Sequence, residues 1–220
     1  MRPSLSWLGQ ILTYIEQNAL AQTSTTEYEN GVNPVDGPHT AFQTHVPLLV
    51  CPSDPRRGSA VFTHDYRLVG LTSYVGVCGT DYTTRDGVFF KDSKVRPADI
   101  RDGLSMTIMI GERPASSDNW YGWWYAGYGQ NGSGSPDMLL GARERNDGAS
   151  YAESCRSGPY AFSGGSLNEQ CDLFHFWSLH PGGAHFVHAD GSVHFHSYAI
   201  DPAILPALAT IANNEVVAFD

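Results

Sequence analysis

Five of the nine histidines of this 220-residue chain fall between Ser178 and Tyr198, in the stretch SLHPGGAHFVHADGSVHFHSY. Imidazole is a common ligand for borderline-soft metals, so a bound transition ion is the first chemistry to consider there. The runs flanking Asp190-Gly191 alternate apolar and polar residues, which predicts a C-terminal hairpin over 178–198 with a two-residue type I′ turn. Such a turn pairs Ala189 with Ser192, His188 with Val193, Val187 with His194, Phe186 with Phe195 and His185 with His196. His185, His194 and His196 then share a face with Val187, while Phe186, Phe195, Val193 and His188 share the other. Three neighbouring imidazoles are a candidate site for zinc or another transition metal, with an open position where water is activated to hydrolyse an ester, lactone or amide. Glu112, His180 and Asp190 are the candidate catalytic groups, with Glu112 or Asp190 as general base. The competing reading leaves the histidines on a solvated hairpin face, with Asp190 making the turn and His180 hydrogen-bonding the Pro181-Gly182-Gly183 loop. A serine nucleophile is not indicated: no G-x-S-x-G elbow occurs, and Ser105 sits at the start of an apolar strand.

Positioning these groups requires a sheet and something to cover it. Trp7, Leu8, Ile11, Leu12, Ile15 and Ala19 recur at helical spacing, which predicts an amphipathic helix over Trp7–Gln22, capped by Ser4 or Ser6 and packed on a sheet. Residues 23–44, with Asn33-Pro34 and Asp36-Gly37-Pro38, predict a surface excursion. Strand-like runs follow, including 46–50 and 73–77, and residues 105–111 (SMTIMIG) are the clearest central strand. Residues 115–149 form an aromatic and Gly-rich, insertion-like segment within a single domain spanning 1–220. In it, Trp123 and Trp124 form a candidate carbohydrate platform, or alternatively covers for the core. The acceptor-rich run 130–137, with Asp137 and the nearby Asp118, is a candidate calcium site without EF-hand spacing.

Four cysteines in a loop-rich chain predict an oxidising compartment and the disulfides Cys51–Cys78 and Cys155–Cys171. A Cys/His zinc site is the weaker alternative, since neither C-x-x-C nor H-x-x-C spacing occurs. A formal net charge of −10 without a Lys/Arg cluster argues against nucleic acid or an anionic membrane as partner and favours divalent cations. No run approaches the roughly 18 apolar residues that suggest a membrane span.

Six further blocks, together with His180 and Asp190-Gly191, carry a family resemblance. They are Cys51-Pro52-Ser53-Asp54, Ser73-Tyr74-Val75-Gly76, Asp86-Gly87-Val88-Phe89-Phe90, the run from Asp99 to Ser105, Gly111-Glu112-Arg113, and Phe176-Trp177-Ser178. The chain resembles the prepilin-processing-associated His-X(nine)-Asp-Gly proteins of bacteria, a family labelled a domain of unknown function or a type 10 solute-binding domain. The resemblance implies a pilin- or pseudopilin-like α+β fold, with an N-terminal helix on an antiparallel sheet, in a secreted or cell-surface protein with filament or secretion-apparatus relatives. Similarity to pseudopilins adds weight to calcium. The chain departs from the family pattern at Met1-Arg2-Pro3, where a basic leader and a long apolar helix are expected and not found. The expected function is a secreted structural or binding module stabilised by calcium. A metal-dependent hydrolase on the same scaffold is the first alternative, and a module binding polysaccharide or another small ligand the second.

Overall fold

Ser6 starts the first helical turn, its hydroxyl accepting the Gly9 backbone N–H at 3.0 Å. The computed structural model describes residues 5–30, 34, 39–148 and 152–213. Ser4, Asn33 and Asp36-Gly37-Pro38 lie outside the described residues. The single helix expected over Trp7–Gln22 is instead three pieces: α1 (Trp7–Gln10), a 3-10 turn (Leu12–Ile15) and α2 (Asn18–Glu29). The break falls at Glu16, whose φ of 62° lies in the left-handed region where a right-handed helix cannot continue. Glu16 is exposed, so Glu16→Gly removes strain without removing packing. The expected result is a gain of about 0.5–1 kcal/mol in a urea titration; an unchanged or lower midpoint would contradict it.

Leu8 and Leu12 enter an apolar cluster with Phe42, Val69, Leu71, Trp124 and Tyr125. Val69 belongs to a small antiparallel pair, β1 (Val61–Phe62) with β2 (Leu68–Val69). The main sheet contains β3 (Tyr74–Gly79), β4 (Ile108–Glu112), β5 (Leu139–Gly141), β6 (Gly183–His188) and β7 (Val193–Ser197), in the order β5-β3-β4-β6-β7. Neighbours are antiparallel except β5, which runs parallel to β3, so the sheet is mixed rather than antiparallel as expected. The segment 115–149 supplies that edge strand and also buries Trp124, Tyr125 and Leu140. The strand expected from Ser105 begins at Ile108, because Leu104–Met106 forms a 3-10 turn.

One side of the sheet carries an apolar core over β3, β4, β5 and β6. Val75, Val77, Ile108, Leu140, Ala184 and Phe186 pack against Leu205 and Leu208 of α3 (Ile204–Ala209). The helix on this face is therefore C-terminal, not the N-terminal one expected. A Cβ at Gly111 would lie 2.6 Å from ring atoms of both Phe176 and Phe186, so glycine is what lets the two rings close over β4. Side chains alternate across a strand, so Glu112, paired with Tyr74 on β3, stands on the opposite face.

The hairpin turns through three residues rather than two. The His188 N–H donates to Ser192 O at 2.8 Å and the Gly191 N–H to His188 O at 2.9 Å, with Gly191 at φ 87°. This is a type I turn closed by a left-handed glycine, the common alternative to type I′. The extra residue sets Ala184 opposite His196, His185 opposite Phe195 and Phe186 opposite His194. His185 thereby leaves the face of His194 and His196, and His188 takes its place.

Candidate metal centre

The polar face of the sheet carries a convergence of three segments distant in sequence. Glu112 ends β4 with its side chain only 7% exposed. Cys51 is brought alongside by the Leu49–Ser73 contact: the Ser73 N–H donates to Leu49 O at 2.9 Å and the Cys51 N–H to Ser73 Oγ at 2.9 Å. The turn after Cys51 is held by Asp54, which is buried and paired with Arg56 at 2.8 Å. His180 is set by Ser178, whose hydroxyl accepts the His180 N–H at 3.0 Å and donates to Gly183 O at 2.7 Å. Tyr198 closes this loop, its hydroxyl accepting the Ser178 N–H at 3.0 Å.

His180 Nε2 lies 3.6 Å from Cys51 Sγ and 3.3 Å from Glu112 Oε1. The three ligand atoms all fall within 4.8 Å of one another. Glu112 Oε2 meanwhile accepts the His185 backbone N–H at 2.7 Å and lies 3.3 Å from His185 Nδ1. The imidazoles of His180 and His185 meet edge-on, their centroids 5.1 Å apart. Tyr74 borders the cluster, and burial, then Cys51 and Glu112, push its hydroxyl above the usual tyrosine range.

The choice between a nucleophilic triad and a metal turns on one nitrogen. A Cys–His–acid relay uses opposite ring nitrogens, one toward the thiol and the other toward the carboxylate. Here both partners face Nε2 of His180. Three ligand atoms within 4.8 Å of one another, two of them facing the same ring nitrogen, are close enough to share an ion. Tetrahedral zinc, with bonds of roughly 2.3 Å to sulfur and about 2.0–2.2 Å to nitrogen and oxygen, sets S···N near 3.6 Å and N···O near 3.4 Å. The observed 3.6 and 3.3 Å match those two separations, and the third, from sulfur to carboxylate oxygen, is within 4.8 Å. Thiolate, imidazole and carboxylate together suit zinc, and His185 on the second carboxylate oxygen is the outer support such ligands normally have.

Of the expected catalytic groups, Glu112 and His180 meet, whereas Asp190 does not join them. It lies in the turn beyond the far end of β6, whereas the His180 ring packs against His185 within that strand. Its Oδ1 accepts Ser192 N–H at 2.8 Å and Ser192 Oγ–H at 2.6 Å, and these bonds hold the carboxyl below its usual range. The expected set His185, His194 and His196 is split by the register. His188 and His196 approach with Nε2 atoms 3.4 Å apart, and His188 lies 4.7 Å from His194 by ring centroids. His188 Nδ1 is taken by Ser105 O at 2.7 Å, and His194 Nε2 contacts Ser192 Oγ at 3.0 Å. Among the described residues, the group of three ligand atoms able to share an ion is Cys51, Glu112 and His180.

The remaining candidates are held by their own neighbours. Cys155 and Cys171 are bonded, with Cα atoms 5.4 Å apart. Cys51 and Cys78 are both buried free thiols, not the expected pair. Cys78 packs against Met138 and Leu139 while Cys51 faces His180. Trp123 and Trp124 are 7% and 0% exposed, so neither offers a sugar platform; their indole N–H groups donate to Asn119 O and Thr44 O, each at 2.8 Å. Asp118 accepts Ser116 Oγ–H, Trp120 N–H and Gln170 Nε2–H. Asp137 accepts the Tyr128 and Gly129 N–H groups on one oxygen. These two carboxylates share no group of three acidic, imidazole or thiol ligands among the described residues.

The sequence pairs Cys51 with Cys78 and so does not place it beside Glu112 and His180. The available signal was that Cys51, Glu112 and His180 each belong to a motif block carrying the family resemblance. The model of one protein family, described as a protein of unknown function (DUF1559), matches residues 1–203. No curated protein and no solved structure matches the chain.

Proposed function

The chain belongs to this DUF1559 family, and we propose that it is an extracytoplasmic, pseudopilin-related binding module that holds one zinc-class divalent ion on Cys51, Glu112 and His180. The observation carrying the reading is the convergence of thiol, carboxylate and imidazole around His180 Nε2 at zinc-like separations. The Cys155–Cys171 disulfide supports an oxidising compartment, and among the described residues no helix is long and apolar enough to cross a membrane. A thiol left unbridged in such a compartment, buried between an imidazole and a carboxylate, is accounted for as a metal ligand. The ion would tie the Cys51 turn, the end of β4 and the loop before β6 together, so binding would couple to folding.

Elemental analysis of untagged protein dialysed against metal-free buffer should find about one zinc per chain. Cobalt substitution should give a thiolate-to-cobalt charge-transfer band. Cys51→Ser and His180→Ala should lose both signals, and His185→Ala should keep the band with roughly 10–100-fold weaker binding. At 100 times the Kd, zinc should stabilise the wild type by about 2.7 kcal/mol and leave Cys51→Ser unchanged. Retention of stoichiometric zinc by both ligand variants would refute the assignment, as would no binding by the wild type. Calcium read in the same analysis tests the calcium expectation.

A hydrolase is the second reading, favoured by the open fourth position that three protein ligands leave and by the 31% and 44% side-chain exposure of His180 and His185. Ester hydrolysis by the zinc-loaded chain that disappears in His180→Ala would turn the binding module into an enzyme.

A further inference from the structure

Apart from the candidate metal centre, a cavity of about 360 Å³ lies between residues 5–10, residues 89–94 and the Gly-rich loop 127–139. None of Cys51, Glu112 and His180 lines it. Its size falls within the roughly 300–1,000 Å³ of small-molecule sites, and such sites combine apolar walls with a few placed polar groups. The aromatic wall is Trp7, Phe89, Phe90 and Tyr128. The Trp7 indole is fixed, donating to Met138 O at 3.0 Å and lying 5.4 Å from the Phe89 ring. Tyr128 is 52% exposed.

Both lysines of the sequence, Lys91 and Lys94, stand at this cavity, in a chain of formal net charge −10. Asp92 lines it too. Gln10, Ser93 and Ser133 add neutral hydrogen-bonding groups. The Gly-rich wall is held from behind by Asp137, whose carboxylate accepts the Tyr128 and Gly129 N–H groups at 2.8 Å each.

We infer that this cavity binds an acidic carbohydrate, a uronate-bearing mono- or disaccharide. The aromatic faces suit the apolar face of a pyranose ring, Ser93, Ser133, Gln10 and Asp92 suit its hydroxyls, and Lys91 and Lys94 suit its carboxylate. An aromatic carboxylate would satisfy the lysines and the rings but leave the hydroxyl-matching groups without partners.

Isothermal titration of the full chain with digalacturonate, its neutral disaccharide counterpart and phenylacetate tests the assignment. Digalacturonate should bind, the neutral sugar at least about tenfold more weakly and phenylacetate more weakly than digalacturonate. Lys91→Gln/Lys94→Gln should weaken digalacturonate binding at least about tenfold with an unchanged thermal midpoint, and Phe90→Ala should weaken both sugars. Cys51→Ser should bind digalacturonate like the wild type, which separates failure here from failure of the metal reading. No digalacturonate binding at millimolar concentration, equal affinity for the neutral sugar, tighter binding of phenylacetate, or insensitivity to the lysine substitutions would each overturn the inference.

Discussion

Replacing Arg113 with methionine should lower the unfolding free energy by about 3–5 kcal/mol, the usual result of removing one member of a buried charged set. Arg113 is fully buried directly after Glu112, and its guanidinium reaches across to the loop behind the cavity. Nη2 donates to Pro136 O at 2.8 Å and Asp137 O at 2.9 Å, and Nη1 to Pro114 O at 3.3 Å. Burial pulls the guanidinium down to about 10, still charged at neutral pH, with Asp137 opposing the shift. Burial likewise pushes the Asp137 carboxyl up to about 6, against the Gly129 and Tyr128 N–H donors and the Arg113 charge. Methionine fills the volume but leaves the carbonyls without a donor and Asp137 without its cation. Asp137 should then hold its proton to higher pH, weakening its hold on the 127–134 loop. Arg113→Met/Asp137→Asn should recover part of the loss, giving a coupling of about 1–3 kcal/mol in a urea double-mutant cycle at pH 7. A single-variant loss below about 1 kcal/mol, or strict additivity, would refute the coupled arrangement.

Local pattern made some of the fold legible and left the site mostly hidden. The hairpin was readable because β6 and β7 alternate around Asp190-Gly191, but the same dipeptide suits a two-residue and a three-residue loop. In the three-residue form Gly191 alone takes the left-handed position, at φ 87°, and that single difference exchanges His185 for His188 on the histidine face. Cys155 and Cys171, 16 residues apart around a Gly/Ser-rich loop, could be paired from the sequence. Cys51 could not be placed: its partner His180 is 129 residues away, and no helical or strand period reports a contact at that range. The helix over Trp7–Gln22 had the right apolar stripe, and Leu8 and Leu12 join one cluster with Trp124 and Val69, but the chain breaks at the left-handed Glu16, which no apolar period reports. Trp123 and Trp124 show why aromatic runs among glycines are ambiguous, since the same rings suit a sugar platform and a core.

The histidine face of the hairpin should set the acid limit of the fold. Burial, then the charges of His188 and His194, pulls His196 down to about 4, and burial lowers His188 as well. The His196 ring lies against Phe186, 5.5 Å between centroids, and its Nε2 is 3.4 Å from His188 Nε2, so protonating both would place two cations side by side. A histidine depressed by folding binds fewer protons in the native than in the unfolded chain between its two pKa values. Its contribution is therefore fully present above about 6.5 and is lost as pH falls toward 4. Asp137, raised by burial, acts in the opposite direction over part of this range, so the difference between wild type and His196→Gln isolates the histidine. Measured by urea unfolding in chelator to remove any metal contribution, that difference should shrink as pH falls from 7 to 4. The sign follows from the buried ring alone: a difference independent of pH would mean that His196 charges in the folded protein as readily as in the unfolded chain. The wild-type minus His196→Gln difference should keep the same pH dependence in a Cys51→Ser background, since Cys51, Glu112 and His180 form a separate group of side chains from His188, His194 and His196.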